Sequence, residues 1–182
     1  MRAGVNANFT LSYPKFFMTH AEALRHEFDL VDATQLSRLI EEARIAPRRR
    51  SHLLLHAGPE DQVQRLLIAA QPGAYVRPHQ HSQQWEFLTL QRGCIDVLTF
   101  DEVGVVQGRI QLDTRTPVIQ IAVATRHTCF VRTPDTVVIE VKPGPYWPNE
   151  FCDWAPEEGE PDAASYLSWL GSAQPGQKWK SI

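Results

Sequence analysis

Cysteine is scarce in this sequence. Only Cys94, Cys129 and Cys152 are present, and no two of them stand in a C-x-x-C arrangement. An odd and scattered set of thiols excludes a disulfide framework and a zinc knuckle. Cys94 and Cys129 read instead as small buried strand residues. No apolar run approaches the roughly 20 residues of a membrane-spanning helix. Residues 1–20 also lack the continuous apolar stretch of a secretory signal. Charge of one sign is missing too: 18 Lys and Arg stand against 21 Asp and Glu, for a net charge of −3. That balance argues against nucleic acid or an anionic membrane as partner. No internal repeat of 20–50 residues is visible. These absences leave an ordinary globular chain, expected in the cytoplasm and long enough to bury one sizeable core.

What is present is a dense series of short apolar or alternating runs broken by turn residues. They predict strands over 51–56, 63–70, 75–77, 86–91, 94–100, 105–112, 118–123, 127–132 and 137–141. Gly58-Pro59, Pro72-Gly73 and Pro134-Asp135 punctuate them. Many short strands with regular turns point to a sandwich or barrel. Ahead of the strands, Thr19 with Glu22 and Asp32 with Gln35 have capping-box spacing. They predict a short helix over 20–28 and an amphipathic one over 33–46, with Leu36, Leu39, Ile40 and Ala43 on its apolar face and Pro47 ending it. The organisation expected is an N-terminal extension over 1–46, a β-barrel over 47–145 and a C-terminal arm and tail over 146–182. The arm is irregular, Asp162 caps a helix through Leu170, and residues 171–182 are expected to be mobile.

The chemistry concentrates in the stretch from Gly73 to Gly93. His79 and His81 are one residue apart, so on a strand both imidazoles share a face. Glu86 follows after enough chain for a tight turn into a returning strand. Two imidazoles and a carboxylate converging from adjacent strands suit a divalent transition metal: Fe, Mn, Ni, Co or Zn. His127 opens a later strand, with Cys129 and Val131 on its face, and is the candidate fourth ligand. The alternative for His127 is a buried imidazole bonded to backbone.

Gly73, His79, His81, Glu86 and Gly93 fill the pattern G-x5-H-x-H-x4-E-x6-G without a gap, and this resembles the first cupin motif. The second motif, P-x-G-x-x-H-x3-N, is matched at His127 alone; Ala122, Ala124 and Val131 stand at its Pro, Gly and Asn positions. A closer resemblance runs through R-R-R-S-H-L-L-L-H (48–56), V-Q-R-L-L-I-A (63–69), P-G-A-Y-V-R-P-H-Q-H (72–81), Trp85-Glu86, D-V-L-T-F-D-E-V-G (96–104) and V-I-E-V-K-P-G-P-Y (138–146). These resemble the WbuC family of cupin-fold metalloproteins, often encoded with O-antigen and other surface-polysaccharide genes. The resemblance implies a mainly β chain with one cupin barrel, a double-stranded β-helix or jelly roll, carrying N-terminal helices and a bound metal.

Around the candidate ligands, Tyr75, Arg77 and Arg65 could clamp an anionic or hydroxylated ligand, Arg through its bidentate fork. The alternative is internal ion pairing with Glu140 or Glu86. His52 and His56 share a strand face, as pocket rim or as ordinary polar residues. Tyr146, Trp147 and Trp154 read as core or interface packing rather than a sugar-stacking platform. The function expected is binding of, or action on, a sugar or nucleotide-sugar intermediate of surface polysaccharide. The rival readings are an Fe(II)-dependent oxygenase and a non-enzymatic small-molecule sensor. Cupins commonly dimerise through sheet edges, so a homodimer is expected.

Overall fold

A computed structural model describes residues 30–180. The helix predicted over 20–28, His20 and His26, and the aromatic residues Phe9, Tyr13, Phe16 and Phe17 lie outside the described residues. Helix α1 spans Ala33–Ile45. Its capping box forms as the spacing predicts: the Asp32 carboxylate accepts from the Gln35 N–H at 2.9 Å, and Gln35 Oε1 accepts from the Asp32 N–H at 3.0 Å. Ala46, next to Pro47, turns to extended backbone with ψ 136, because proline disfavours a helical neighbour before it.

Ten strands follow: β1 (Arg50–Leu54), β2 (Val63–Ala70), β3 (His79–Gln80), β4 (Glu86–Arg92), β5 (Ile95–Phe100), β6 (Val106–Leu112), β7 (Val118–Ile121), β8 (Arg126–Val131), β9 (Thr136–Pro143) and β10 (Glu150–Phe151). They form two five-stranded sheets, ordered β1-β2-β9-β4-β7 and β10-β3-β8-β5-β6, with antiparallel pairing throughout. The inner core takes Leu88, Leu90, Ile121 and Val138 from the first sheet and Ile95, Val97, Leu112 and Val131 from the second. Each sheet thus buries one face against the other, in a single jelly-roll barrel of cupin type.

The outer faces are covered as well. Leu39, Ile40 and Ala43 of α1 pack on Leu67, Ala69 and Val137 of the first sheet. Behind the second sheet, helix α2 (Ala163–Leu170) sets Tyr166 and Leu170 against Leu98, Phe100 and Val106. Strand β5 is therefore buried on both faces, which explains why its sequence runs apolar instead of alternating. Arg109 ties α2 down. Its guanidinium donates to the carbonyls of Leu170, Gly171 and Ala173 at the helix C-terminus, and to the buried Asp96 carboxylate behind them.

Four local expectations are corrected. Residues 75–77 form no strand: Pro78 lacks an N–H for the ladder, and β3 starts only at His79. Asp162 begins α2 without a side-chain cap, because its carboxylate pairs with Lys180 instead. The end of the chain through Lys180 is packed and not a loose tail. Ala173 is fully buried, Trp179 stacks with Tyr166 and Trp169, and the backbone of Gly176 and Gln177 bonds to Val106. The thiols are free; Cys94 and Cys129 are only half-buried, and Cys152 is the buried one.

Candidate metal centre

His79 and His127 stand directly opposite each other on β3 and β8. In an antiparallel pair that places both side chains on the same face, here the inner one. His81 follows β3 and is fixed through its carbonyl, which accepts from the Ala124 N–H at 2.8 Å. Ala124 has φ 59, in the left-handed region, and occupies the position where the second cupin motif has glycine. The turn is kept at a cost of roughly 1–2 kcal/mol for the extra Cβ. Glu86 opens β4 in the facing sheet, paired with Ile121. The four side chains are buried, and their candidate donor atoms lie within 4.8 Å of one another.

Backbone carbonyls orient two of these rings. His79 Nδ1 lies 2.9 Å from the Arg77 carbonyl, and His127 Nδ1 lies 2.9 Å from the Thr125 carbonyl. A carbonyl can only accept, so each Nδ1 carries the proton and each Nε2 presents a lone pair. His127 Nε2 is 2.8 Å from Glu86 Oε2. That carboxylate oxygen nevertheless has no hydrogen-bond partner, and neither has either ring nitrogen of His81. Buried lone pairs facing one another without a proton between them are costly. A divalent cation would satisfy them together, so the donor set fits a transition metal held by His79, His81, Glu86 and His127.

The shifts at His79 and Glu86 agree with that donor set, and the one at His127 reflects its pairing with Glu86 in the metal-free cluster. Burial pushes His79 down to about 3, helped by neighbouring His127, so its ring stays neutral. Burial alone would raise Glu86, but His127 and His81 outweigh it and hold the carboxylate well below its usual range. Burial likewise pulls on His127, and the Glu86 carboxylate reverses the sign and raises it.

Two further charged residues line this end of the barrel and were not singled out as site residues in the sequence. Glu140 and Lys142 of β9 are each 8% exposed, and Lys142 Nζ lies 2.8 Å from Glu140 Oε1. Burial and the charge of Glu86 raise Glu140, with Lys142 opposing. The signal was present in V-I-E-V-K: at strand period, Glu140 and Lys142 fall on the same face as Val138, which enters the inner core.

The other predicted ligand-binding residues are not brought to the four donors. The Tyr75 hydroxyl donates to the Pro156 carbonyl at 2.7 Å, and its ring packs on Tyr166. Arg77 donates to the Ala155 carbonyl and pairs with Glu157, lying over the Phe151 ring. Both fasten the C-terminal arm, and Arg77 reaches the centre only through its carbonyl on His79. Arg65 is exposed on β2, opposite Val141, while Glu140 pairs with Leu66 and so projects from the other face. His52 is exposed on the edge strand β1, and His56 Nδ1 accepts from the Arg65 N–H at 3.0 Å.

A shallow pocket opens beside His81, walled by Ser82, Gln83, Gln84, Trp147, Pro148 and Glu150. The two tryptophans of the arm part company here. Trp154 packs on Phe100 and against Gly104, as a core residue should. Trp147 is 46% exposed on the pocket wall, so it is not part of the chain's own core.

Residues 31–112 match a family described as a domain of unknown function (DUF6016). No curated protein matches the chain. Among solved structures, KdgF from Halomonas sp. is similar at 17% identity and a TM-score of 0.45, over 57% of this chain and 85% of that one. A cupin-superfamily sugar phosphate isomerase from Silicibacter pomeroyi is similar at 22% identity and a TM-score of 0.44, over 58% of this chain and 64% of that one. The oxalate decarboxylase of Lactobacillus farciminis, in its formate complex, is similar at 15% identity and a TM-score of 0.46. It is covered over 31% of its length by 56% of this chain. The chain therefore spans less than two thirds of the last two proteins. These are likenesses of barrel shape, and no chemistry follows from them. No helix among the described residues is long and apolar enough to cross a membrane.

Proposed function

We propose that this chain is a metal-binding cupin protein that binds, or acts on, a sugar or nucleotide-sugar intermediate of surface-polysaccharide synthesis. The metal part is carried by one observation: three imidazoles and a carboxylate converge in a buried space, with Glu86 Oε2 and both His81 nitrogens left without hydrogen bonds. The sugar part is supported by the sequence resemblance to the WbuC family. A bound ion would supply Lewis acidity toward a carbonyl or hydroxyl oxygen. The chain's own residues fix the tautomers of His79 and His127 through the Arg77 and Thr125 carbonyls, keep Glu86 ionised and limit water at the donors. The same reading places the protein in the cytoplasm as a homodimer joined at sheet edges; a monomer by light scattering would remove that last element.

Elemental analysis of the purified protein tests the reading, with close to one Fe, Mn, Co, Ni or Zn per chain expected at neutral pH. Acidification should release it, since the imidazoles must be deprotonated to ligate. Metal retained well below the ordinary histidine pKa of roughly 6.5 would contradict imidazole ligation.

A further inference from the structure

Glu140 and Lys142 stand in the middle of the first sheet, on β9 between β2 and β4. In the antiparallel register of β4 and β9, Leu88 is opposite Glu140 and Phe87 opposite Val141. One residue further along, Lys142 comes level with Glu86. Side chains level on neighbouring strands share a face, with Cβ atoms roughly 5 Å apart. Lys142, Glu140 and Glu86 therefore form one patch on the inner face of the sheet. Their charges act on the same neighbourhood. Lys142 helps to hold Glu86 ionised, and Glu140 acts on His127 and Cys129 of β8 in the facing sheet.

Stability does not account for this pair. Lys142 Nζ lies 2.8 Å from Glu140 Oε1, and replacing a buried ion pair by apolar residues of similar volume is often neutral or stabilising. Nor is the pair sealed off. The Lys142 and Glu140 side chains keep 10% and 11% of their surface, against 2% for His127. Strand β9 is hydrogen-bonded along both edges, so surface on its inner face opens toward the inside of the barrel. Leu66, opposite Glu140 on β2, and Cys129 on β8 are likewise only half-buried on their inner faces.

An ammonium has three N–H donors, and among the described residues Glu140 is the one ion-pair partner of Lys142. Charge decides what the others can receive. With neutral imidazoles, a divalent ion, two carboxylates and one ammonium leave a single positive charge, which is costly to bury. One carboxylate cancels it. A phosphate monoester brings nearly two charges and suits the guanidinium fork, but Arg65 projects from the other face of β2 and Arg77 is committed to the arm. We infer that Lys142 sets the ligand specificity of the metal centre: the ligand bears one carboxylate, which accepts a hydrogen bond from the Lys142 ammonium. The inference rests on the metal half of the proposed function and adds a carboxylate to what the ligand must carry.

The test is titration of the Co(II)-loaded full chain with glycolate, followed by the visible absorption of the ion. Imidazole, a neutral metal ligand, and inorganic phosphate are the controls. Glycolate should bind, and phosphate should bind at least about tenfold more weakly. Lys142→Met should weaken glycolate about tenfold, equivalent to ~1.4 kcal/mol, and leave imidazole within about twofold. Glu140→Gln should act in the opposite direction and tighten glycolate, because Lys142 is released from its partner. The double variant Glu140→Gln/Lys142→Met leaves no bare buried charge, so it should fold even where Lys142→Met alone does not, and it should bind glycolate weakly. Cobalt content is read on the same samples. Equal glycolate affinity in wild type and in the chains lacking Lys142, or a parallel loss for imidazole, overturns the role of Lys142 and leaves the metal centre standing. A chain that takes up no Co(II) overturns the metal centre and this inference with it.

Discussion

Alanine at His127 or at His79 should leave the purified protein with less than about a tenth of the wild-type metal. Even outer-shell changes at metal sites cost roughly 10–100-fold in affinity, and these are direct ligands. The two rings face each other across β3 and β8, so removing either opens one side of a four-donor set. The fold should survive. His79 and His127 contribute donors at one end of the barrel, while the inner core of Leu88, Val97, Leu112 and Val131 is unchanged. Far-ultraviolet circular dichroism should therefore match wild type, and added metal should no longer raise the melting temperature. Full metal content in either variant would mean that the ion sits elsewhere.

The second large effect is on stability and depends on pH. Lys142→Met removes the cation beside Glu140 while leaving Glu140 and Glu86 buried. Breaking a buried pair in this way costs about 3–5 kcal/mol when the remaining group is charged. The sign with pH follows from Glu140, whose folded pKa lies above its ordinary value, near 7. The native state then binds the proton more tightly than the unfolded chain. Its stabilising contribution is fully present below the ordinary carboxyl pKa and is lost as pH rises through the folded value. Lys142 offsets that loss, so without it Glu140 should rise further. Urea melts of the metal-free protein should show a deficit that is larger at pH 8 than at pH 5 by up to about 1.4 kcal/mol, the value of the one pH unit between the folded pKa near 7 and pH 8. A deficit independent of pH would show that Lys142 serves through packing of its stem alone.

The legible parts of this molecule were those encoded locally. The Asp32–Gln35 cap, the end of α1 at Pro47 and the run of β2 follow from neighbours in sequence. So does the grouping of His79, His81 and Glu86, because a tight turn between two strands fixes their spacing. His127 could be nominated by its face within β8, and its place opposite His79 is a matter of long-range register. Glu140 and Lys142 were harder for the same reason. Their neighbourhood arises when β9 pairs with β4, setting Glu140 opposite Leu88, and nothing near Glu140 in sequence announces that pairing. Tyr75 and Arg77 were misplaced because strand parity was carried through Pro78, where the ladder starts afresh. Trp147 and Trp154 look alike in the sequence. Only the packing of Trp154 on Gly104 and the anchoring of the turn at Gly144 separate a core ring from an exposed one.

The most direct test of the metal centre is anomalous diffraction from crystals of the purified protein, recorded on both sides of the Fe, Mn, Co, Ni and Zn absorption edges. The arrangement of donors predicts one strong peak, bounded by the imidazoles of His79, His81 and His127 and by the Glu86 carboxylate, within reach of all four. Well-ordered side chains around a featureless map, or a peak bound by other residues, would contradict it.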